Sequence, residues 1–303
     1  KWIAEKKEEP FFCYIPTYSP HSPLIVPERY TALYPKHEKE VKQFLGMMSN
    51  VDENIGRLRK HIETLGLKEN TVIILINDNG GTWGVDVHNA GMRGRKASTL
   101  YGGIRAVSFW TWPGQWKAAE HDHMTGHIDV FPSIAECAGI DLKPGLRKSL
   151  DGVSMMSLID PSRAKSKADA EILKNNDRMM AAHRARWSNI EGKSNAEVME
   201  DSKYSYCSVR WRHYIAVRIK HCGNERCNTC NKIKSRWQET PGKKRPYTSN
   251  VFHYLPPEDK WMLYDLKADL SQESDIAAKQ PELLKRMTDW YEAWWDDLKV
   301  SAP

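Results

Sequence analysis

The sequence predicts an α/β protein: a mixed β-sheet sandwiched by helices in residues 1–163, then a smaller antiparallel sheet with a packed terminal helix in residues 164–303. Three observations predict it. Strand-like apolar runs alternate with helical periodicity through the first half. Short strand-like runs at residues 204–210, 213–219 and 261–264 follow without long helices between them. The chain closes on an amphipathic, Trp-rich helix.

Taken in order, residues 1–7 (KWIAEKK) read as the last turns of an amphipathic helix that enters an apolar run with no leader or cap before it, so the start reads as a cut inside a domain. Residues 11–16 form a short apolar run ending in Pro, which predicts a fully buried strand feeding a loop over 17–27. Val41, Phe44, Leu45, Met48, Ile55, Leu58, Ile62 and Leu65 recur at helical spacing and stop at Gly66, which predicts one long surface helix. Residues 71–76 (TVIILI) are β-branched and apolar on both faces, as a central parallel strand must be. That run leads straight into Asn77-Asp78-Asn79-Gly80-Gly81, polar residues at the strand end where α/β proteins hold ligands.

A Gly-rich basic loop is predicted over 91–103, a strand over 104–110 closed by Trp112-Pro113-Gly114, and a helix over 127–138. Beyond Pro161 a polar, Lys- and Ala-rich stretch runs to Asn176. The last helix starts with Pro281 at its first position and carries Leu284, Met287, Tyr291, Trp294 and Leu298 on one stripe.

Composition narrows the function. The 303 residues are 40% hydrophobic and 28% charged, enough for a sizeable core. No run approaches the roughly 20 apolar residues of a membrane helix. The formal charge of +6 is modest and the charges are mixed along the chain, which argues against nucleic acid and admits an anionic substrate. The six cysteines, at 13, 137, 207, 222, 227 and 230, are too sparse for a disulfide scaffold. Cys222, Cys227 and Cys230 are clustered and leave three readings open: a zinc site with His213 or His253, a disulfide, or an insertion with unpaired thiols.

Four residues stand out as candidates for chemistry. Asp78 and Asn79 place a carboxylate and an amide oxygen side by side, a start on the oxygen shell of calcium or magnesium, although an Asp-Asn-Gly-Gly stretch also reads as a plain turn. Lys96, in Met92-Arg93-Gly94-Arg95-Lys96, can reach an oxyanion or belong to a basic surface loop. His21, in Ser19-Pro20-His21-Ser22-Pro23, is stiffened by its prolines and can bind an anion or protonate a leaving oxygen, or simply be solvated. His88, His121, His123 and His127 rival it individually.

Order and context add a resemblance. Pro10-Phe11-Phe12-Cys13-Tyr14-Ile15-Pro16, Pro20-His21-Ser22-Pro23 and Val26-Pro27-Glu28-Arg29-Tyr30 are followed by Asn50-Val51-Asp52-Glu53-Asn54-Ile55-Gly56 and Asp78-Asn79-Gly80. Next come Gly91-Met92-Arg93-Gly94-Arg95-Lys96, Gly102-Gly103-Ile104-Arg105 and Ile128-Asp129-Val130-Phe131-Pro132-Ser133, with Leu263-Tyr264-Asp265-Leu266-Lys267-Ala268-Asp269 near the end. This succession resembles the C-terminal portion of formylglycine-dependent sulfatases of the arylsulfatase type, over nearly the whole chain.

The resemblance implies an incomplete alkaline-phosphatase-like mixed sheet, Asp78 and Asn79 as ligands of calcium or alternatively magnesium, Lys96 on the substrate sulfate and toward the nucleophile, and His21 on the sulfate or leaving oxygen. It implies hydrolysis of a sulfate ester on a sulfated small molecule or sulfated glycan, in a periplasmic, secreted or lysosomal setting. The family's nucleophile is a formylglycine made from Cys or Ser in a C/S-x-P/A-x-R motif; its hydrate attacks sulfur. That motif is absent from these 303 residues; the nearest miss is Ile159-Asp160-Pro161-Ser162-Arg163. The motif and the remaining ligands are therefore expected upstream, and this chain alone is expected to be inactive. Tyr101 departs from the acidic residue that relatives carry before Gly-Gly-x-Arg, which leaves the packing around Arg105 open. Two other readings remain: a phosphodiesterase or phosphonate hydrolase of the same superfamily, and a noncatalytic sulfated-glycan-binding protein.

Overall fold

The structure is a computed structural model that describes residues 1–183, 192–219 and 259–301. These form two compact units. The first comprises Lys1–Asn77, Thr82–His88 and Val107–Ala118; the second comprises Asp78–Gly81, Asn89–Ala106 and the chain from Ala119 onward.

The first unit holds helices α1 (Trp2–Lys6), α2 (Glu28–Thr31) and α3 (Lys39–Thr64), and strands β1 (Ile73–Ile76) and β2 (Ser108–Thr111). The helical spacing read from residue 41 onward is borne out by α3, which buries Phe44, Met47 and Ile62. Its end follows from Gly66, whose φ of 74° costs a residue without Cβ little. There the Leu67 N–H donates to the Ile62 carbonyl at 3.1 Å and the Gly66 N–H to that of Glu63 at 3.0 Å, satisfying carbonyls that the helix leaves open.

Two expectations are corrected in this unit. Among the described residues the run at 71–76 makes no parallel pairing: β1 pairs antiparallel with β2, Ile73 facing Thr111 and Ile76 facing Ser108. The Asn77 side chain extends that pairing by accepting from the Val107 N–H at 2.5 Å. Leu75 and Phe109, opposite one another, are 38% and 64% exposed, so the two-sided apolar character does not make β1 buried. Residues 11–16 form no strand, and Phe12, Tyr14 and Ile15 are exposed. An apolar run becomes a strand only through a partner's ladder, and none pairs with it among the described residues.

The second unit contains α4 (Tyr101–Ile104), α5 (Val130–Cys137), α6 (Pro144–Ser149), α7 (Met156–Ile159) and α8 (Lys167–Asn175). Then follow β3 (Met179–His183), α9 (Asn195–Ser202), β4 (Cys207–Trp211), β5 (Tyr214–Arg218), β6 (Met262–Asp265) and α10 (Pro281–Ser301). The four strands form one antiparallel sheet in the order β3-β4-β5-β6, as the short runs predict, with β3 added from a segment that carries no clear alternation.

Side chains alternate across this sheet. Ile215, Val217, Met262 and Tyr264 face one apolar cluster that includes Leu100 and Tyr101, while Val209, Ala216 and Leu263 face α10. The predicted stripe of α10 is borne out: Met287, Tyr291 and Trp295 are fully or nearly fully buried, and Leu284, Trp294 and Leu298 pack beside them. The Tyr291 hydroxyl donates to the Lys203 carbonyl. Asp129, wholly buried ahead of α5, accepts from the Gly126 and Val153 N–H groups and from Arg178 at 2.7 Å, so its charge is compensated inside the core.

His183, at the end of β3, donates through Nε2 to the Ser202 carbonyl at 2.8 Å and lies against Trp295. Burial lowers its pKa below the ordinary 6.5, outweighing that hydrogen bond. The unfolded chain then takes up the proton first as pH falls, so the contribution of neutral His183 is full above 6.5 and is lost below it. The urea midpoint of the chain is expected to fall from pH 6.5 to about 5, and His183→Gln is expected to flatten that limb.

Candidate active site

The second unit brings three of the four sequence candidates onto adjoining backbone. Asp78–Gly81 and Asn89–Ala106 both belong to it, and two hydrogen bonds join them. The Gly80 N–H donates to the Gly103 carbonyl at 2.9 Å, and the Lys96 N–H donates to the Gly81 carbonyl at 2.8 Å. Gly80 is required by this approach, since a Cβ at that position would sit 1.8 Å from the Gly102 carbonyl oxygen.

The Lys96 loop is closed on itself. The Asn89 side-chain amide donates to the Met92 and Gly94 carbonyls at 2.6 and 2.9 Å, and the Gly102 N–H donates to the Arg93 carbonyl at 2.7 Å. Ala97, directly after Lys96, has a φ of 72° in the left-handed region, a conformation that costs a residue with a Cβ and is held by its surroundings. Lys96 itself is half-buried, Asp78 is exposed, and Asn79 is half-buried. Asn79 donates through Nδ2 to the Gly80 carbonyl at 2.9 Å, which turns the carbonyl end of its amide away from that bond.

Charge favours an anion beside these loops. Residues 78–81 and 89–106 carry Arg93, Arg95, Lys96 and Arg105 against the single carboxylate of Asp78. Asp78 and Asn79 offer the hard oxygen donors that calcium and magnesium take, so they fit part of such an ion's shell. Among the described residues no group of three or more His, Cys, Asp or Glu lies close enough to hold a metal by itself. The cysteine cluster at 222, 227 and 230 lies outside the described residues.

His21 belongs to the first unit, where it is exposed. Its backbone N–H donates to the Tyr18 carbonyl at 3.0 Å, Nδ1 lies 2.9 Å from the Ser22 carbonyl oxygen, and its ring meets Tyr18 edge-on at 5.9 Å. These contacts orient the imidazole. Of the rivals, His121 and His123 lie 6.5 Å apart, and His127 opens the turn before α5. Tyr101, the departure noted in the sequence, is buried, and its hydroxyl accepts from Arg105 while the Arg210 guanidinium lies 4.7 Å from its ring centre. Arg105 thus keeps a polar partner without the carboxylate.

Asn89 and Gln272 were not singled out by sequence reasoning. Gln272 accepts from the Tyr101 N–H through Oε1 at 2.9 Å across 171 residues of chain, and no local spacing announces such a contact.

The family model described as Sulfatase matches residues 1–140. Over residues 1–140 the chain is similar to the sulfatase family. The chain is 26% identical over 156 residues to the uncharacterized sulfatase YdeN of Escherichia coli, a match spanning 50% of this chain and 28% of that protein. It is 26% identical over 157 residues to N-acetylgalactosamine-6-sulfatase of Mus musculus, spanning 50% of the chain and again 28% of the relative. In fold it is similar to Ps i-CgsB in complex with k-i-k-neocarrahexaose, with a TM-score of 0.62 at 21% identity, over 91% of this chain and 48% of that one. The chain therefore spans about half the length of that solved structure, and the fold is alkaline-phosphatase-like, as the sequence resemblance implied.

Gly80→Ala is expected to lower the unfolding free energy by about 1–3 kcal/mol, since the added Cβ must push two backbone segments apart. Gly56→Ala, where a Cβ meets nothing within 4 Å, is the control and is expected to hold or raise stability. Urea unfolding of the two variants checks the contrast.

Proposed function

We propose that the protein is a sulfuric ester hydrolase in which this chain supplies one part of the metal shell and one part of the sulfate pocket. The observation that carries the reading is the bonded pair of loops, with the Lys96 N–H on the Gly81 carbonyl at 2.8 Å, which keeps the Asp78-Asn79 donors and the Lys96 ammonium on one backbone frame. In this reading Asp78 and Asn79 are metal ligands, with calcium as the cation and magnesium as the alternative. A bound divalent cation supplies charge neutralisation and polarisation of a sulfate oxygen.

Lys96 holds a sulfate oxygen by a charge-assisted hydrogen bond, drawing the anion toward the site and favouring charge that develops in the transition state. The neighbouring Arg93 and Arg95 raise the local positive potential. His21 is the contact to the sulfate or the leaving oxygen, and as an imidazole it can return a proton to the departing alcohol. The nucleophile of this reading is a formylglycine from a C/S-x-P/A-x-R segment, a motif that these 303 residues do not carry. These 303 residues alone are expected to give no turnover.

The substrate class is a carbohydrate sulfate. N-acetylgalactosamine-6-sulfatase is a relative by sequence, and the structural neighbour Ps i-CgsB is held in complex with k-i-k-neocarrahexaose. Such substrates match a periplasmic, secreted or lysosomal setting, and no helix among the described residues is long and apolar enough to cross a membrane.

In the full-length protein, Lys96→Ala is expected to lower kcat/KM toward a sulfate ester by on the order of a hundredfold. Unchanged turnover in that variant overturns the assignment. Asp78→Asn is expected to weaken calcium binding by roughly tenfold or more, read by calorimetric titration, because a ligand charge is lost while the side-chain shape is kept.

A further inference from the structure

We infer that Gln272, in the turn after β6, is a positioning residue for Lys96. The inference rests on the reading of Lys96 as the sulfate contact, and it assigns a task to a turn some 170 residues further along the chain.

Gln272 is fully buried, and its backbone has a φ of 52°, which a bulky residue adopts only when its surroundings hold it there. Its Oε1 accepts the Tyr101 N–H at 2.9 Å, and its backbone carbonyl accepts the Arg93 guanidinium at 2.6 Å. Arg93 and Tyr101 stand on either side of Lys96, so the loop is held at both flanks by one turn.

The turn is itself fixed. The Gln272 N–H donates to the Asp269 carbonyl at 3.1 Å, and the Asp269 carboxylate accepts from the Glu273 and Ser274 N–H groups, each at 2.8 Å. Leu270 packs with Met92 and Ile104 against the sheet cluster, closing the apolar side of the same contact. A buried amide acceptor that satisfies a loop N–H defines the loop's conformation, whereas an apolar side chain of equal volume fills the space and leaves that N–H without a partner.

The test is made in the full-length protein with a sulfate ester. Gln272→Met is expected to lower kcat by about tenfold or more with a smaller change in KM, as a misplaced catalytic group does. Gln272→Glu keeps an acceptor for Tyr101, and it is expected to restore kcat to within about threefold. Amide exchange at Lys96 and Tyr101 is expected to quicken in Gln272→Met and to recover in Gln272→Glu. Tyr291→Phe, which removes the hydrogen bond on the α10 side of the sheet, is the stability control and is expected to lower Tm while leaving kcat in place.

Wild-type kcat and loop exchange in Gln272→Met overturn the inference, as does an equal loss of kcat in Tyr291→Phe. Turnover retained by Lys96→Ala defeats the reading of Lys96 instead, and the exchange rates then report separately whether Gln272 holds the loop.

Discussion

The second unit depends on one constraint: β5 is buried on both faces. Ile215, Ala216 and Val217 are each fully buried, so every successive side chain of this strand needs cover from opposite sides. On one side the cover is α10, through Met287, Tyr291 and Trp295. On the other it includes Leu100 and Tyr101, from the segment that carries Lys96. Burial of a side chain the size of Ile215 or Val217 stabilises by about 1.5–3 kcal/mol, and that gain is lost wherever its cover lifts away. The candidate loop is therefore part of the sheet's own core.

Polar groups refine what apolar cover begins. Apolar contact has no direction, so it can hold Leu100 and Tyr101 on the sheet without defining the backbone between Arg93 and Gly103. Direction comes from hydrogen bonds: Asn89 to two loop carbonyls, Gly80 to Gly103, Lys96 to Gly81, and Gln272 to Tyr101. Each buried loop N–H or carbonyl satisfied in this way removes an alternative conformation, because leaving it unmet costs about 1–3 kcal/mol. Small residues make the arrangement sterically feasible, above all Gly80 against the Gly102 carbonyl.

Much of the fold was legible before any coordinates. The helical period of α3, its stop at Gly66 and the stripe of α10 are properties of local spacing, and each was recovered. The antiparallel sheet followed from short strand-like runs. The apolar run at 11–16 and the observed pairing of β1 differ from expectation for a common reason. Hydrophobicity says that a segment is worth burying, while strand formation and strand direction depend on a partner elsewhere in the chain. Of the candidate site, Asp78, Asn79 and Lys96 were named from sequence order and lie on bonded loops. Asn89 acts within its own loop through its amide, a use that its residue type alone does not announce.

By itself the sequence determined residue chemistry at local spacing: an oxygen-donor pair after a strand, a basic Gly-rich loop, a Pro-braced histidine, and the amphipathic faces that bury the terminal helix. Only the tertiary structure decided which of these meet. It joined the Asp78 loop to the Lys96 loop through backbone hydrogen bonds, paired β1 with β2 in the antiparallel sense, and brought Gln272 onto Tyr101. The physical reason is that these contacts are directional and non-local. The loop contacts of the second unit arise when the two faces of β5 are covered, the β1–β2 pairing arises within the first unit, and nothing in the spacing of neighbouring residues encodes either.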